Sequence, residues 1–323
     1  AKLACGIADD LLTTTALTFT GKPVLIAPAM NTRMWENPLL EDNLYRLEAM
    51  DTVSIIPPDV GSLACGEYGE GKLAQQTIIL DYLYRAMHAH HGQLKDQSVL
   101  VTAGGTSEPI DPVRMITNRS SGQMGVAMAD EAWAMGANVT LIHTLPNLAT
   151  KPYDTLYVQT VDAMAEAVIS KFTPPPTPLP QGEGEQSLGV NLLVMAAAVS
   201  DYKVSNPSEQ KLKKQDATTL ELTKTRDILI EVAKLKLPHQ KVIGFAAETN
   251  LDNQQLLEKL QRKHLEMLAC NDVSRSDIGF GAEDNEITLL FPDESQQHLM
   301  KAPKQIIAQK ILTQKLKAKA RLV

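Results

Sequence analysis

Short apolar runs alternate with amphipathic segments along most of the chain. The runs are rich in β-branched residues and have the length of buried strands. They lie at residues 23–27, 54–57, 98–102, 139–143, 157–158, 192–196, 242–246, 267–270 and 287–291. Apolar residues recur at helical spacing over residues 38–50, 77–88, 126–135, 161–171, 226–236, 254–264 and 304–319. Repeated βα units of this kind predict an α/β fold in which helices cover a parallel sheet.

Three histidines within residues 88–91 follow a predicted helix. A histidine tract can bind metal, but no carboxylate or cysteine partner stands close by in the sequence. A solvated linker between domains is therefore the favoured interpretation. We place the boundary at residues 89–95, between a first domain over residues 1–90 and a second over residues 95–323.

A second irregular segment covers residues 173–189 and begins with a run rich in proline and glycine. It has almost no apolar residues to bury, so it cannot build a core of its own. We predict a disordered or polyproline-like insertion in the second domain. A proline-rich motif for a partner protein is the alternative.

Composition excludes several classes of protein. The formal net charge of −7 argues against nucleic acid or an anionic membrane as the main partner, so an anionic ligand needs a local basic cluster. The apolar runs are shorter than the roughly 18 residues of a membrane span. Cys5, Cys65 and Cys270 are far apart and odd in number, which argues against a disulfide framework or a zinc site. The cytoplasm is the expected location.

The stretch at residues 98–125 carries the clearest chemical signal. A predicted strand stops at Gly104 and Gly105, and a loop then reaches Ser120, Ser121 and Gly122 just before a predicted helix. Free backbone N–H groups and the positive end of a helix dipole suit a phosphate or a carboxylate. The spacing matches neither the dinucleotide fingerprint nor the P-loop. An ordinary turn with a serine cap is the alternative.

Several blocks in one order resemble the phosphopantothenoylcysteine synthetase family, the ligase step of coenzyme A biosynthesis. They are Gly104-Gly105-Thr106, residues 116–122, residues 196–202, residues 211–214 and residues 244–249. Upstream, residues 28–35 and 63–72 resemble the flavin-dependent phosphopantothenoylcysteine decarboxylase, which bacteria fuse to the synthetase. The resemblance implies an incomplete flavodoxin-like decarboxylase piece followed by a Rossmann-like synthetase domain.

The resemblance also implies a reaction. The family activates the carboxylate of 4′-phosphopantothenate with CTP and Mg²⁺, releases pyrophosphate and forms an acyl-cytidylate, and cysteine then displaces CMP. Catalytic roles fall on Lys211, Arg114 and Asn118. The implied nucleotide contacts are Met195, Ala196, Ala197, Asp201, Lys211, Arg226, Asp227, Ile228, Leu229, Phe245, Lys259 and Lys263. Gln123 stands where the family often has lysine, which predicts a weaker phosphate contact.

Residue chemistry supports part of this assignment. Asp201 follows a predicted strand end, where it can hold a ribose hydroxyl or a metal-bound phosphate. Lys211, Lys213 and Lys214 crowd a loop of an acidic chain, so an anion clamp is favoured over a solvated charge run. Residues 259 and 263 are both lysines, and their spacing of four puts them on one helix face.

In the first domain, Asn31 is predicted at the mouth of the strand over 23–27, where its amide can contact a carboxylate. A turn-stabilising asparagine is the alternative. Cys65 lies in a glycine-rich loop, and the resemblance makes it the proton donor of the decarboxylase. Tyr68 and Lys72 match a dehydrogenase spacing, but the glycines around them argue against the helix which that pair needs. Cys5 and Cys270 read as core residues.

The first residues resemble the middle of a decarboxylase domain, after its first strands, part of its FMN site and a catalytic histidine. We therefore expect a truncated decarboxylase without decarboxylase activity in this chain. The family implies a homo-oligomer through a synthetase dimer. Two other functions stay open, an NAD(P)-binding oxidoreductase and a catalytically impaired nucleotide-binding scaffold.

Overall fold

The computed structural model describes residues 1–19, 21–88, 92–173, 189–213, 219–248, 252–272, 274 and 281–320. The predicted insertion lies outside these residues except at its ends. His90, His91 and Lys214 also lie outside them. The chain divides into two compact units, one of Ala1–His91 with Thr150–Pro152 and one of Gly92–Ala149 with Tyr153–Val323.

The first unit is small and built around two parallel strands. Its elements are α1 (Leu11–Thr18), β1 (Val24–Ile26), α2 (Thr32–Trp35), α3 (Pro38–Glu48), β2 (Val53–Ile55), β3 (Asp59–Ser62), β4 (Tyr68–Lys72) and α4 (Gln76–His88). Strands β1 and β2 pair in parallel, and Ile56, Ala74 and Ile78 form a buried cluster against Leu25 and Ala27.

The glycine-rich segment of this unit is ordered differently from the predicted loop. It forms an antiparallel hairpin of β3 and β4, in which Val60 pairs with Glu70 and Ser62 with Tyr68. Tyr68 and Lys72 therefore lie on a strand, which confirms that they are not a helical catalytic pair. Cys5 is exposed, so its prediction as a core residue is wrong.

The second unit holds a large sheet flanked by helices. Its strands are β5 (Ser98–Ala103), β6 (Ser107–Pro109), β7 (Met115–Thr117), β8 (Asn138–His143), β9 (Asp154–Tyr157), β10 (Leu192–Met195), β11 (Tyr202–Val204), β12 (Leu222–Lys224), β13 (Lys241–Glu248), β14 (Met267–Asp272), β15 (Asp284–Leu290) and β16 (Gln296–Pro303). Its helices are α5 (Gln123–Ala134), α6 (Val161–Phe172), α7 (Ile228–Leu235), α8 (Asn253–Arg262) and α9 (Lys304–Ala320).

The strand order of the eight-stranded sheet is β16-β15-β14-β13-β10-β5-β8-β9. The six strands from β14 to β9 are parallel, while β15 and β16 add an antiparallel edge. The chain runs outward from β5 through β8 to β9, and then crosses to β10 on the other side of β5. The carboxyl ends of β5 and β10 therefore flank a topological switch point, where such folds bind ligands.

Helix α5 approaches the sheet very closely at its first turn. A Cβ atom at Gly125 would lie 2.6 Å from both the carbonyl oxygen of Thr102 and the Cβ atom of Ala103. Only glycine fits at that separation, so the N-terminus of α5 is held over the end of β5. Buried Leu100, Leu193 and Phe172 belong to the core cluster below it.

Cys270 lies in the core, as predicted, and burial raises the pKa of its thiol to about 12. Such a thiol is inert at neutral pH. Among the helices that the structure describes, none has the length and apolar character that crossing a membrane requires.

Candidate functional site

A cavity of about 760 Å³ opens over the carboxyl ends of the central strands of the second unit. One wall is the loop and first turn of α5, at residues 118–125. The floor is formed by residues 195–202 after β10, and the other wall by residues 224–229 and 245–247. Lys259, Lys263, Asn271, Gly281, Asn285 and Lys304 complete the lining.

The floor is fixed by hydrogen bonds between two strand-end loops. The N–H of Ala198 donates to the carbonyl oxygen of Gly104 at 2.8 Å, and the N–H of Thr106 donates back to Ala198 at 3.2 Å. The N–H of Ser200 donates to Oγ1 of Thr106 at 2.9 Å. Gly104 has a φ of +92°, and an added Cβ atom would lie 2.2 Å from Oγ1 of Thr144. This turn therefore requires glycine, and it makes a rigid floor.

The start of α5 differs from a serine-capped turn. Gly122 is the N-cap residue with a φ of +70°, and no side chain of the described residues caps the helix. Ser120 Oγ instead accepts a hydrogen bond from the N–H of Gly122 at 3.3 Å. The first N–H groups of α5 thus lack a side-chain partner at the cavity wall, where they favour an anion.

Asn118 stands between this helix end and the floor. Its Nδ2 donates to the carbonyl oxygen of Val199 at 3.0 Å and lies 3.4 Å from that of Ala198. Oγ1 of Thr117 donates to the carbonyl oxygen of Thr106 at 2.9 Å, which anchors the same segment. The Asn118 amide is therefore held in one position on the lining of the cavity.

Three cations of the opposite wall are each paired with a carboxylate. Nζ of Lys263 lies 2.8 Å from Oδ2 of Asp227, and Nζ of Lys259 lies 3.3 Å from Oε1 of Glu248. Arg226 makes a two-pronged contact with Glu231, with N–O distances of 2.9 and 2.6 Å. Hydrogen bonding to Glu231 raises the pKa of Arg226, and the pKa of Glu231 falls for the same reason. These cations are preorganised for a polyanionic ligand.

Most of the predicted site residues lie on this lining. They are Asn118, Met195, Ala196, Ala197, Asp201, Arg226, Asp227, Ile228, Leu229, Phe245, Lys259 and Lys263. The pairing of the two lysines with Glu248 and Asp227 was missed, because these carboxylates come from β13 and from the residue before α7 rather than from α8 itself. Glu266, which follows α8 in the sequence, contacts Lys236 at 2.6 Å.

Arg114 and Lys211 do not line the cavity in this conformation, and their roles stay predictions. Oδ2 of Asp111 accepts hydrogen bonds from Nε of Arg114 at 3.0 Å and from the N–H of Leu212 at 3.1 Å. Nη2 of Arg114 donates to the carbonyl oxygen of Leu212 at 3.1 Å. The guanidinium therefore binds its own loop, and it ties the lysine-rich segment to residues 111–114.

Asp111 makes this tie dependent on pH. Its carboxylate is buried, and hydrogen bonding to Arg114 holds its pKa well below the usual range. A depressed folded-state pKa contributes stability above the unfolded pKa of about 3.9, and that stability is lost as the pH falls towards the folded value.

We therefore expect Asp111→Asn to lower the Tm at pH 7, and the gap from wild type to narrow as the pH falls from about 5 to 3. Thermal melts across this range measure the effect. The matched control is Asp154→Asn, at an exposed position of β9. A gap that stays constant between neutral and acid pH would contradict the assignment.

Lys304 and Asn285 line the cavity but were missed from the sequence. Asn285 is buried, with Nδ2 3.7 Å from Sδ of Met124. Lys304 is the first residue of α9, and its ammonium donates to Oε1 of Gln123 at 3.2 Å. One signal was available, since a lysine at the start of a predicted helix opposes the helix dipole.

The first unit has a separate polar cluster. Nδ2 of Asn31 lies 3.2 Å from Sγ of Cys65 and donates to Oε2 of Glu67 at 2.9 Å. Asn31 also caps α2, because its Oδ1 accepts from the N–H of Arg33 at 2.8 Å. Both predicted residues of this domain thus meet at one place, and Glu67 joins them.

The cavity offers a carboxylate to the implied Mg²⁺, whereas the start of α1 in the first unit disfavours the phosphate of the implied FMN. No group of three or more His, Cys, Asp or Glu side chains is arranged around a cation site in the part of the chain that the structure describes. A nucleotide-bound Mg²⁺ needs only one or two protein carboxylates, and Asp201 on the lining offers one. In the first unit, the carboxylate of Asp10 caps α1 and disfavours a flavin phosphate there.

Comparison with known proteins gives consistent results. Residues 94–318 match the family described as DNA/pantothenate metabolism flavoprotein C-terminal domain, and residues 1–88 match the family described as Flavoprotein. The crystal structure of the C-terminal domain of Coenzyme A biosynthesis bifunctional protein CoaBC has a TM-score of 0.56 and 30% identity. That match covers 71% of this chain and 99% of the other.

Curated relatives cover both units. Coenzyme A biosynthesis bifunctional protein CoaBC of Bacillus subtilis is 38% identical over 303 residues, which cover 92% of this chain and 70% of the relative. The protein of that name from Escherichia coli is 36% identical over 301 residues, which cover 91% of this chain and 69% of the relative. A decarboxylase part is therefore present over residues 1–88, which to that extent corrects the expectation of a truncated one. With matches of this extent over both units, the chain belongs to the family of coenzyme A biosynthesis bifunctional proteins.

Proposed function

We propose that the second unit ligates 4′-phosphopantothenate to cysteine with CTP, through an acyl-cytidylate. The observation that carries this proposal is one cavity lined both by cations suited to a nucleotide and by the start of α5 with Asn118. Activation of a carboxylate and its transfer to an amine need both features within reach of one substrate.

The cationic wall is the proposed nucleotide site. Lys259, Lys263 and Arg226 offer positive charge to the phosphates, and Asp201 offers a carboxylate to a ribose hydroxyl or to Mg²⁺ held by the phosphates. The small side chains of Ala196 and Ala197 allow close approach to the backbone at the end of β10. Because each cation is already paired with a carboxylate, the nucleotide exchanges one anionic partner for another.

In the first step, the substrate carboxylate attacks the α-phosphate of CTP and pyrophosphate leaves. Fixed cations stabilise the negative charge that develops on the phosphates. We assign part of this role to Lys211, whose segment is tied to residues 111–114 through Leu212. From that exposed position Lys211 reaches the phosphates only if its loop moves over the cavity.

In the second step, the amine of cysteine attacks the acyl carbonyl and CMP leaves. The Asn118 amide orients that carbonyl and stabilises its oxyanion. Its position is fixed by the hydrogen bond to Val199, so little reorganisation is needed. A dimer of second units is the proposed assembly.

A decarboxylase function of the first unit is favoured by one observation, the 3.2 Å contact between Asn31 and Cys65. We propose that Asn31 binds the carboxylate of the substrate and that the Cys65 thiol donates a proton. The carboxylate of Glu67, 2.9 Å from the Asn31 amide, keeps that amide oriented. The proposal is limited to these contacts with the substrate.

Release of pyrophosphate tests the ligase assignment. We expect the chain to release pyrophosphate from CTP only when 4′-phosphopantothenate is present, and to form CMP fully when cysteine is added. Pantothenate without its phosphate, and NADH, serve as control ligands. Pyrophosphate release without the acyl substrate, or tight NADH binding with no release at all, would contradict the proposal and favour an oxidoreductase or a scaffold.

A further inference from the structure

Lys304 lines the cavity in surroundings that differ from those of Lys259, Lys263 and Arg226. Its Nζ donates to Oε1 of Gln123 at 3.2 Å and to the carbonyl oxygen of Ala282. Both partners are neutral acceptors. Lys259, Lys263 and Arg226 each contact a carboxylate instead. Within the described residues, Lys304 is therefore a lining cation without a carboxylate at ion-pair distance, a property that it shares with Arg119 and Lys224.

The position of Lys304 is electrostatically unfavourable in the absence of an anion. Its side chain is partly buried, and burial lowers the pKa of its ammonium, although Asp284 and Glu283 act in the opposite direction. The residue also begins α9 and contacts the first residue of α5. A cation at a helix N-terminus opposes the dipole, and here it lies at two of them. A phosphate beside Lys304 removes this conflict.

We propose that Lys304 positions a phosphate group of a substrate at the α5 end of the cavity. The inference rests on the proposed ligase function. It adds to that function a residue that recognises the phosphate of a substrate. Gln123 orients the ammonium through its 3.2 Å contact, and the uncapped N–H groups of α5 lie on the same wall. The charge that the family often carries at position 123 is thus supplied here from α9.

Two substrates carry such a phosphate, 4′-phosphopantothenate and CTP. The cationic wall with Lys259 and Lys263 already serves the nucleotide in our proposal, which leaves the α5 end for the acyl substrate. Steady-state kinetics distinguish the two sources, because the KM of each substrate is measured separately. Pantothenate, which lacks the phosphate, reports whether that group is what Lys304 recognises.

The test compares Lys304→Met with Lys310→Met, a control at an exposed lysine of the same helix. We expect Lys304→Met to raise the KM for 4′-phosphopantothenate roughly ten-fold or more, the effect of losing a charged hydrogen bond, while the KM for CTP stays at its wild-type value. The preference over pantothenate should fall by the same factor. A rise in the KM for CTP alone would assign the phosphate to the nucleotide, and wild-type KM values for both would overturn the proposal.

Chemical footprinting separates this inference from the ligase function. Lys304 is acetylated with an N-hydroxysuccinimide ester, and the rate of its acetylation is measured by mass spectrometry. Separate samples contain no ligand, 4′-phosphopantothenate, pantothenate or CTP. Protection by a phosphate-bearing ligand, but not by pantothenate, supports the proposal even if no pyrophosphate is released. Equal rates in all samples would contradict it. Lys304→Met should also keep the wild-type Tm or exceed it, and a fall in Tm would indicate a structural role instead.

Discussion

Asn118→Asp is expected to form the acyl-cytidylate but to transfer it to cysteine roughly 10²-fold more slowly, the cost of a lost oxyanion donor. The amide of Asn118 donates to the carbonyl oxygen of Val199 at 3.0 Å. A carboxylate cannot make that hydrogen bond, and its charge would repel both the carbonyl oxygens of the floor and the developing oxyanion. Activation uses the opposite wall, so the first step should continue.

Rapid-quench reactions measure the two steps separately. Pyrophosphate reports activation, and CMP reports transfer after cysteine is added. The control is Asn253→Asp, at an exposed asparagine in the first turn of α8 that does not line the cavity. If Asn118→Asp forms no intermediate, or transfers it at the wild-type rate, the assigned role of the amide is wrong.

The second large effect concerns Lys263. Its side chain is only 11% exposed, and its ammonium lies 2.8 Å from Oδ2 of Asp227, whose side chain is 37% exposed. Lys263→Met removes a phosphate contact and leaves an unpaired carboxylate in the nucleotide site. We expect kcat/KM for CTP to fall by roughly 10²-fold, the usual scale for removing one partner of a desolvated charge pair.

The neighbouring carboxylate supplies an internal check. In a Lys263→Met, Asp227→Asn double variant the uncompensated charge is gone, and asparagine still caps α7 well, so part of the lost activity should return. Lys234→Met, at an exposed lysine of the same helix, should behave as wild type. Additive losses in the double variant would show that Asp227 has a role of its own in binding.

Much of the second unit was predictable because its central strands are short apolar runs. The runs at β5, β8, β10 and β13 and the pattern of α5 follow directly from burial on both faces of a sheet. Strand β16 was missed because most of its residues are exposed and polar, so no apolar run marks it. The two-stranded sheets of β6 with β7 and of β11 with β12 have three residues per strand, too short for a periodic signal.

The site was predictable only in part, for a different reason. The resemblance identified positions such as Asn118 and Lys263, which line the cavity. It could not reveal that the Arg114 guanidinium is hydrogen-bonded to Asp111, because the sequence alone does not show which charged residues contact each other. Lys304 stands 181 positions from Gln123, and only the packing of α9 against α5 brings them together. A local sequence pattern does not reveal contacts between residues that are so far apart in the sequence.

The most direct test of the account is whether the intermediate forms on this chain. The protein is incubated with CTP and 4′-phosphopantothenate without cysteine, quenched and analysed by mass spectrometry for phosphopantothenoyl-CMP. We predict that this species accumulates in proportion to enzyme, disappears when cysteine is added, and forms roughly 10²-fold more slowly with Lys263→Met at subsaturating CTP. Conversion of CTP without any acyl-cytidylate, or its formation at the wild-type rate by Lys263→Met, would contradict the assignment of the cavity.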